Sequence, residues 1–198
     1  MAIYTDATIS GGAHGIWQSS LLRSTLAGHL WDCQVVEESG SGASFTRTPI
    51  DVDNGVAVHV GDFTGNGLQE RYATIAAVGD KIGVVGTPAL VKDALTQAQA
   101  AETNFYNKAG KLSKVYQVEE DEFDPDIFGV GFHQFTTASQ ANVKEGAYVV
   151  VNGSGQWVAQ AAKPSTSTYG FIGKVHSIHT GLFYKVVRIA VVQNEQIA

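Results

Sequence analysis

The feature that most constrains this chain is a series of short apolar segments, rich in β-branched residues, that are separated by turn-forming residues. Two pairs of such segments in the C-terminal half enclose short loops that contain glycine: residues 147–151 with 156–160, and residues 169–179 with 183–193. Apolar segments joined by loops of this length and composition are typical of β-hairpins. Several of them in succession predict a small β-barrel or β-sandwich.

The N-terminal half carries the same pattern more weakly. Residues 34–38 and 56–60 predict short strands. Residues 72–78 and 81–85 flank Gly79-Asp80, and a two-residue loop that begins with glycine between apolar segments predicts a type II′ hairpin turn. We therefore expect strands in both halves of the chain.

One segment, residues 88–107, predicts a helix instead. Thr87 is a suitable N-cap, Pro88 suits the first helical position, and Gly110 suits the termination. Apolar residues recur along it at helical spacing, at Val91, Ala94, Leu95, Ala98 and Phe105. Because this face is rich in alanine, we expect it to lie close against a sheet or another subunit.

These elements predict a mainly β chain with one clear helix, of the α+β class. Residues 1–30 are rich in Gly, Ser and Ala with isolated apolar residues, which predicts an extended N-terminal arm that a neighbouring subunit orders. Residues 31–110 are predicted to form an α+β part with the hairpin and the helix. Residues 111–198 are predicted to form the small β-barrel or β-sandwich.

The charge of the chain argues against nucleic acid as its partner. It has 13 Lys and Arg against 19 Asp and Glu, for a net charge of −6, and no segment is basic enough to displace phosphate counterions. The N-terminal residues lack the basic and apolar regions of a secretory signal, and no apolar run is long enough to span a membrane. We therefore expect neither nucleic acid nor membrane among its partners, and synthesis in a cytoplasm.

The most conspicuous charged segment is an acidic run over residues 119–126. It holds six carboxylates, at Glu119, Glu120, Asp121, Glu122, Asp124 and Asp126. Like charges repel one another and Pro125 interrupts a strand, so we expect an exposed loop between two strands. The run could bind a basic partner, increase solubility or bind a cation. The first two roles are favoured because the spacing of its carboxylates does not match a calcium-binding loop.

Two further segments resemble sites of chemistry, but a structural role is favoured for each. Residues 62–67 begin like a calcium loop, yet the position of the closing acidic residue is occupied by Ala73, so a turn is predicted. His29 and Cys33, beside Asp32, would share a face of a helix as a base and a thiol. Cys33 is the only cysteine, so no intrachain disulfide is possible, and we expect it to be a small packed residue.

Histidine and tryptophan supply the remaining candidates. His176 and His179 lie three apart, and on a strand they would point to opposite faces, which does not favour a shared metal. Trp17, Trp31 and Trp157 could stack against a sugar, although large aromatic residues are more often core or interface anchors. We therefore predict no catalytic, cofactor-binding or metal-binding residues and no cofactor.

Several stretches between residues 87 and 193 resemble virion structural proteins of tailed bacteriophages, of the capsid cement or decoration type. They are Thr87-Pro88-Ala89-Leu90, residues 104–111, Val115-Tyr116-Gln117-Val118 before the acidic run, Gly146-Ala147-Tyr148-Val149-Val150-Val151, residues 171–175 and residues 187–192. The resemblance implies a non-enzymatic subunit that binds and stabilises the capsid. Its partners would be the major capsid protein and other copies of itself, in the virion, after assembly in the host cytoplasm.

Three alternative functions stay open from the sequence. The chain could be a carbohydrate-binding β module on a virion surface, another head or tail structural component, or an enzyme whose site is not visible in the sequence. The carbohydrate hypothesis requires the three tryptophans to lie on an exposed concave face. The enzyme hypothesis requires a pocket with convergent polar groups of perturbed pKa.

Overall fold

The computed structural model describes residues 14–21, 29–65, 69–88, 105–121, 124–180 and 185–197. Twelve strands lie within these ranges. They are β1 Trp17–Leu21, β2 Leu30–Ser39, β3 Thr46–Pro49, β4 Ala57–Phe63, β5 Glu70–Ile75, β6 Gly83–Val85, β7 Leu112–Gln117, β8 Ile127–Gly131, β9 Tyr148–Val151, β10 Trp157–Gln160, β11 Phe171–Thr180 and β12 Lys185–Asn194. Short 3-10 helices lie at Gly42–Ser44, Phe132–Gln134 and Thr137–Asn142.

Five of the strands close into a barrel in the order β2-β5-β4-β6-β7. The barrel is closed because β7 pairs with β6 on one side and with β2 on the other. The β2–β5 pair is parallel and the other pairs are antiparallel. Its interior is filled by small and β-branched side chains, which suits a narrow barrel: Cys33, Val35, Val58, Ala73, Val85 and Val115.

β3 extends the barrel sheet by pairing antiparallel with the end of β2. The remaining six strands form a second sheet in the order β1-β8-β12-β11-β9-β10. Its core is built around three aromatic rings, of Phe128, Trp157 and Phe171. The ring of Trp157 lies 5.5 Å from that of Phe128 and 5.6 Å from that of Phe171, in tilted and edge-on arrangements that aromatic pairs prefer. The indole N–H of Trp157 donates to the carbonyl of Gly55, so the polar end of this buried side chain is satisfied.

β4 and β6 form the wall between the two cores. Successive residues of a strand point to opposite faces. Ala57 and Val84 pack into the core of the sheet, whereas Val58 and Val85, the next residues, pack into the barrel. This double burial explains why β6, Gly83–Val85, is apolar throughout and fully buried.

Two polar side chains also join the barrel to the sheet. Asn194, at the end of β12, accepts from the backbone N–H of Ile82 and donates to the carbonyls of Ile82 and Val118. Gln134 accepts from the N–H groups of Ile16 and Gly131 and donates to the carbonyl of Asn54. Both residues therefore bond backbone groups across the junction, where no strand of the sheet pairs with a strand of the barrel.

The predicted mainly β fold with a small barrel is confirmed, but the barrel is not where the sequence placed it. It is formed by residues between 30 and 117, whereas residues 127–194 contribute an open sheet in the described part of the chain. Closure depends on pairing between β2 and β7, which are far apart in the sequence, and no local pattern reveals such pairing. β1, predicted to be part of an extended arm, is an edge strand of that sheet, and β7 belongs to the barrel, so strand pairing crosses both predicted boundaries.

The predicted helix lies mostly outside the described residues, which omit 89–104. At its predicted end, Asn107 is not helical and forms an isolated antiparallel β-bridge with Val52. Of the predicted arm, residues 1–13 and 22–28 also lie outside the described ranges.

Both C-terminal hairpins are confirmed by the antiparallel pairs β9–β10 and β11–β12. The hairpin predicted around Gly79-Asp80 is wrong. The turn exists, because the N–H of Asp80 bonds the carbonyl of Ala77. However, the strands on either side of it do not pair, because β4 lies between β5 and β6 and uses both of its edges.

Candidate functional site

One side and one end of the barrel carry a surface built from aromatic rings and two arginines. We call it the aromatic–arginine surface, and it consists of Trp31, Phe45, Arg47, Phe63, Arg71 and Tyr72. Phe45 is 42% exposed and Phe63 is 53% exposed. Exposed phenylalanines beside arginines are uncommon on a surface that contacts only water, and they are typical of binding surfaces.

Arg47 lies between two of the rings. Its guanidinium carbon is 4.3 Å from the ring centre of Tyr72 and 5.0 Å from that of Phe45. Its Nε donates to Glu38 at 2.8 Å and its Nη2 donates to Asp62 at 3.4 Å. The hydrogen bond to Glu38 is the main cause of a raised pKa for Arg47. The side chain is therefore held in one orientation and its charge is compensated.

Arg71 lies between the other two rings. Its guanidinium carbon is 4.1 Å from the ring centre of Phe63 and 4.3 Å from that of Trp31. Its Nη1 donates to the carbonyl of Gly61 at 3.0 Å. Cation–π contacts of this kind contribute about 0.5–1 kcal/mol each where they are exposed and more where they are desolvated.

The strand pairing explains how these residues meet. In the parallel β2–β5 pair Arg71 lies opposite Cys33, two residues from Trp31 on the same face. An irregularity in the β4–β5 pairing between Val60 and Phe63 brings Phe63 opposite Arg71. The three side chains therefore cover one end of the barrel interior, and Phe63 remains exposed above them.

A cavity of about 580 Å³ lies elsewhere on the protein, beside the junction of the barrel and the sheet. His14 and Asp53 form a hydrogen-bonded pair at its edge, with Nδ1 2.7 Å from Oδ1. The ring of Tyr106 stacks on that of His14 at 4.7 Å. The remaining lining side chains are those of Asp51, Val52, Val56, Ile75 and Ser154.

His133 lies near His14 and Asp53 of this cavity, and its pKa is lowered. Burial lowers its pKa, and a backbone hydrogen bond with His14 and the charge of Asp53 only partly oppose that effect. Its Nε2 is buried without a hydrogen-bond partner. A neutral imidazole tolerates this environment because an unprotonated Nε2 does not need to donate.

The acidic run lies where the chain leaves the barrel for the sheet, between β7 and β8, as predicted. It is only partly exposed. Asp126 is buried, and its Oδ2 accepts the N–H of Glu119 at 2.8 Å. Glu120 accepts the N–H of Asn194, and Glu119 lies 3.6 Å from Lys81. Several carboxylates of the run therefore satisfy backbone amides and a lysine of the protein itself; Glu122 lies outside the described residues.

The structure separates Cys33 and His29, the thiol and base considered in the sequence. Cys33 points into the barrel, and burial raises the pKa of its thiol to about 12. His29 lies 3.5 Å from Glu119, and Asp32 pairs on the outside of the barrel with Lys114 at 2.6 Å. Cys33 is therefore the packed residue that the sequence predicted. A thiol with this pKa is almost entirely protonated at neutral pH and is a poor nucleophile.

No metal centre is present among the described residues, where no group of three or more His, Cys, Asp or Glu side chains is arranged to hold an ion. Asp62, at the start of the segment that resembles a calcium loop, bonds Arg47 instead. His176 and His179 are both exposed on β11.

The three tryptophans do not lie together on a concave face. Trp157 is fully buried in the core of the sheet. Trp17 is partly buried against Tyr116 and Phe128, and Trp31 lies beneath Arg71. This arrangement matches the core and anchor roles that are usual for tryptophan, and it lacks the shared concave face that the carbohydrate hypothesis requires of these three residues.

The sequence did not reveal the aromatic–arginine surface. Its residues come from four strands and the loop before one of them, and no spacing along the chain links them. A partial signal exists within β5, where Arg71 and Tyr72 stand next to each other before three small or β-branched residues.

No protein-family model, curated protein or solved structure matches the chain. Within the described ranges, no helix is long and apolar enough to cross a bilayer.

Proposed function

We propose that this chain is a non-enzymatic structural protein of a virion, a cement or decoration subunit that binds and stabilises the capsid of a tailed bacteriophage. The aromatic–arginine surface makes the contact with the major capsid protein. The resemblance of residues 87–193 to such proteins supplies the class of partner, and the exposure of Phe45 and Phe63 beside ordered arginines supplies the surface.

The composition of the surface supports binding to protein. Tryptophan, tyrosine and arginine are the residues that most often dominate the binding energy of protein interfaces. Arg47 and Arg71 are already fixed by stacking and hydrogen bonds, so little side-chain entropy is lost when a partner covers them. The exposed rings of Phe45 and Phe63 then supply apolar area that binding removes from water.

Compensated charge on this surface predicts how binding responds to salt. Arg47 is paired with Glu38 and Asp62, so the surface offers little net charge to a partner. Binding that depends on apolar burial is not screened by ions, whereas exposed charge pairs are. We expect capsid binding to change little as salt is raised, in contrast to binding through the acidic run.

The direct test adds purified protein back to phage heads assembled without it and measures co-sedimentation and head stability. Phe63→Ser should weaken binding strongly, because it removes an exposed ring without disturbing the barrel core. Val192→Ser is a matched control, since Val192 is 42% exposed on β12 of the other sheet. Equal binding by both variants and the parent would show that the surface is not the contact, and failure of the parent to bind heads would reject the function itself.

The alternative that the chain is another head or tail component is distinguished by its position. Cryo-electron microscopy of the virion would show density for it on the capsid lattice under our proposal. Density confined to the neck or tail would favour the alternative. Because β1 of the predicted arm belongs to the sheet, deletion of residues 2–13, which leaves β1 intact, tests the arm in the same add-back assay. Normal decoration by this truncated chain would contradict an assembly role for the arm.

A further inference from the structure

The geometry points to a second binding site, the cavity beside His14, that receives the side chain of a lysine or arginine from a partner protein. This inference does not depend on the proposed capsid role. It rests on three properties of the cavity: its volume, the anionic and polar part of its lining, and the apolar part of its lining.

The first wall is anionic and polar. Asp51 and Asp53 are two residues apart, and Val52 between them is held in extended form by its bridge to Asn107. Residues two apart on an extended segment share a face, so both carboxylates lie on the same side. Asp51 is positioned by a bond from the N–H of Ala109 at 2.7 Å, and Asp53 by its bond with His14 at 2.7 Å.

The second wall is apolar. Val56 and Ile75 both lie close to Gly155 of the β9–β10 loop, which has a φ of +69°. This close approach leaves Ser154 at the edge of the cavity. A lysine or arginine has the matching form, because its alkyl stem packs on apolar groups while its head reaches a polar site.

Charge and size select this ligand over others. No lysine or arginine is among the described residues that line the cavity, and the one basic group there is the imidazole of His14, which bonds Asp53. The three-ligand geometry of a metal is not present among the described residues. A volume of about 580 Å³ is within the range of small-molecule sites and admits a whole extended side chain.

The test uses nuclear magnetic resonance on the full chain, with amide-capped lysine and amide-capped arginine as probes. Saturable shifts should appear at the rings of His14 and Tyr106 and at the methyl groups of Ile75, and they should weaken in high salt. Amide-capped norleucine has a similar stem without the charge and should cause no such shifts. Equal shifts from norleucine, or none from either cationic probe, would overturn the inference.

Two variants assign the binding to this cavity. Asp51→Asn keeps an oxygen for the N–H of Ala109 and should weaken binding about fivefold, the loss expected for one partly exposed ionic contact. Asp124→Asn removes an exposed carboxylate elsewhere and is the control. Ser154→Lys places an ammonium at the edge of the cavity and should abolish binding of the added probes.

Unchanged affinity in both cavity variants would contradict the site. Tighter binding of free putrescine than of either capped residue would assign the cavity to small amines instead of a partner protein.

Discussion

Asn194 offers the sharpest test of how the barrel is held to the sheet. Its side chain makes three hydrogen bonds at 2.7–2.8 Å to the backbone of Ile82 and Val118, both of which are fully buried. Asn194→Ala leaves one N–H and two C=O groups without partners in the core. Each unsatisfied buried group costs about 1–3 kcal/mol, and partial relaxation brings the total to roughly 3–5 kcal/mol.

Such a loss should be plain in thermal unfolding. A change of 1 kcal/mol shifts the Tm of a domain of this size by about 2–4 °C, so Asn194→Ala should lower it by roughly 10 °C. Circular dichroism against temperature measures the shift, and urea unfolding measures the free energy of unfolding independently.

Gln196 provides a matched control two residues further along the chain. Its amide accepts from the N–H of Lys81 and donates to Asp80, the same region that Asn194 reaches, but both bonds are exposed. Water replaces them in Gln196→Ala, so the cost should stay below about 1 kcal/mol. If the two variants lower Tm equally, the reasoning from burial is refuted.

Asn194→Asp adds a second check. Its carboxylate would face the carbonyls of Ile82 and Val118, and the loss of stability should decrease when acid protonates that carboxylate.

Three further predictions follow from the titratable groups. Folding lowers the pKa of His133, so the unfolded chain binds this proton more tightly than the folded chain does. The free energy of unfolding should therefore be highest above pH 6.5 and should fall as the pH decreases below that value. His133→Gln should reduce this dependence on pH, measured as the urea midpoint at each pH. Cys33, with a thiol pKa of about 12, should resist thiol reagents in the native chain and react at once in denaturant; rapid native labelling would contradict its burial. The acidic run 119–126 should give the same Tm in calcium and in chelator, since its buried Asp126 already bonds a backbone amide, and a rise in Tm with calcium would make it a metal site.

The candidate sites show the limit of sequence patterns most clearly. Cys33 was predicted as a packed residue because nothing near it in the sequence completes a catalytic group, and the barrel interior confirms that role. The aromatic–arginine surface was not predicted, because stacking of Arg71 between Trp31 and Phe63 depends on which strands are neighbours. The cavity beside His14 likewise joins residues 14, 51–53, 56, 75, 106 and 154, which no spacing relates.

The sequence by itself determined the mainly β character and the two C-terminal hairpins, because a hairpin pairs strands that its own turn already holds together. Only the tertiary structure decided the order of the other strands. β4 lies between β5 and β6 although the turn at Gly79-Asp80 favours their direct pairing, and β7 closes the barrel onto β2 across most of the N-terminal half. The reason is that burial of Val58 and Val85 on one side and of Ala57 and Val84 on the other outweighs a local turn preference, and that burial exists only once both cores have formed.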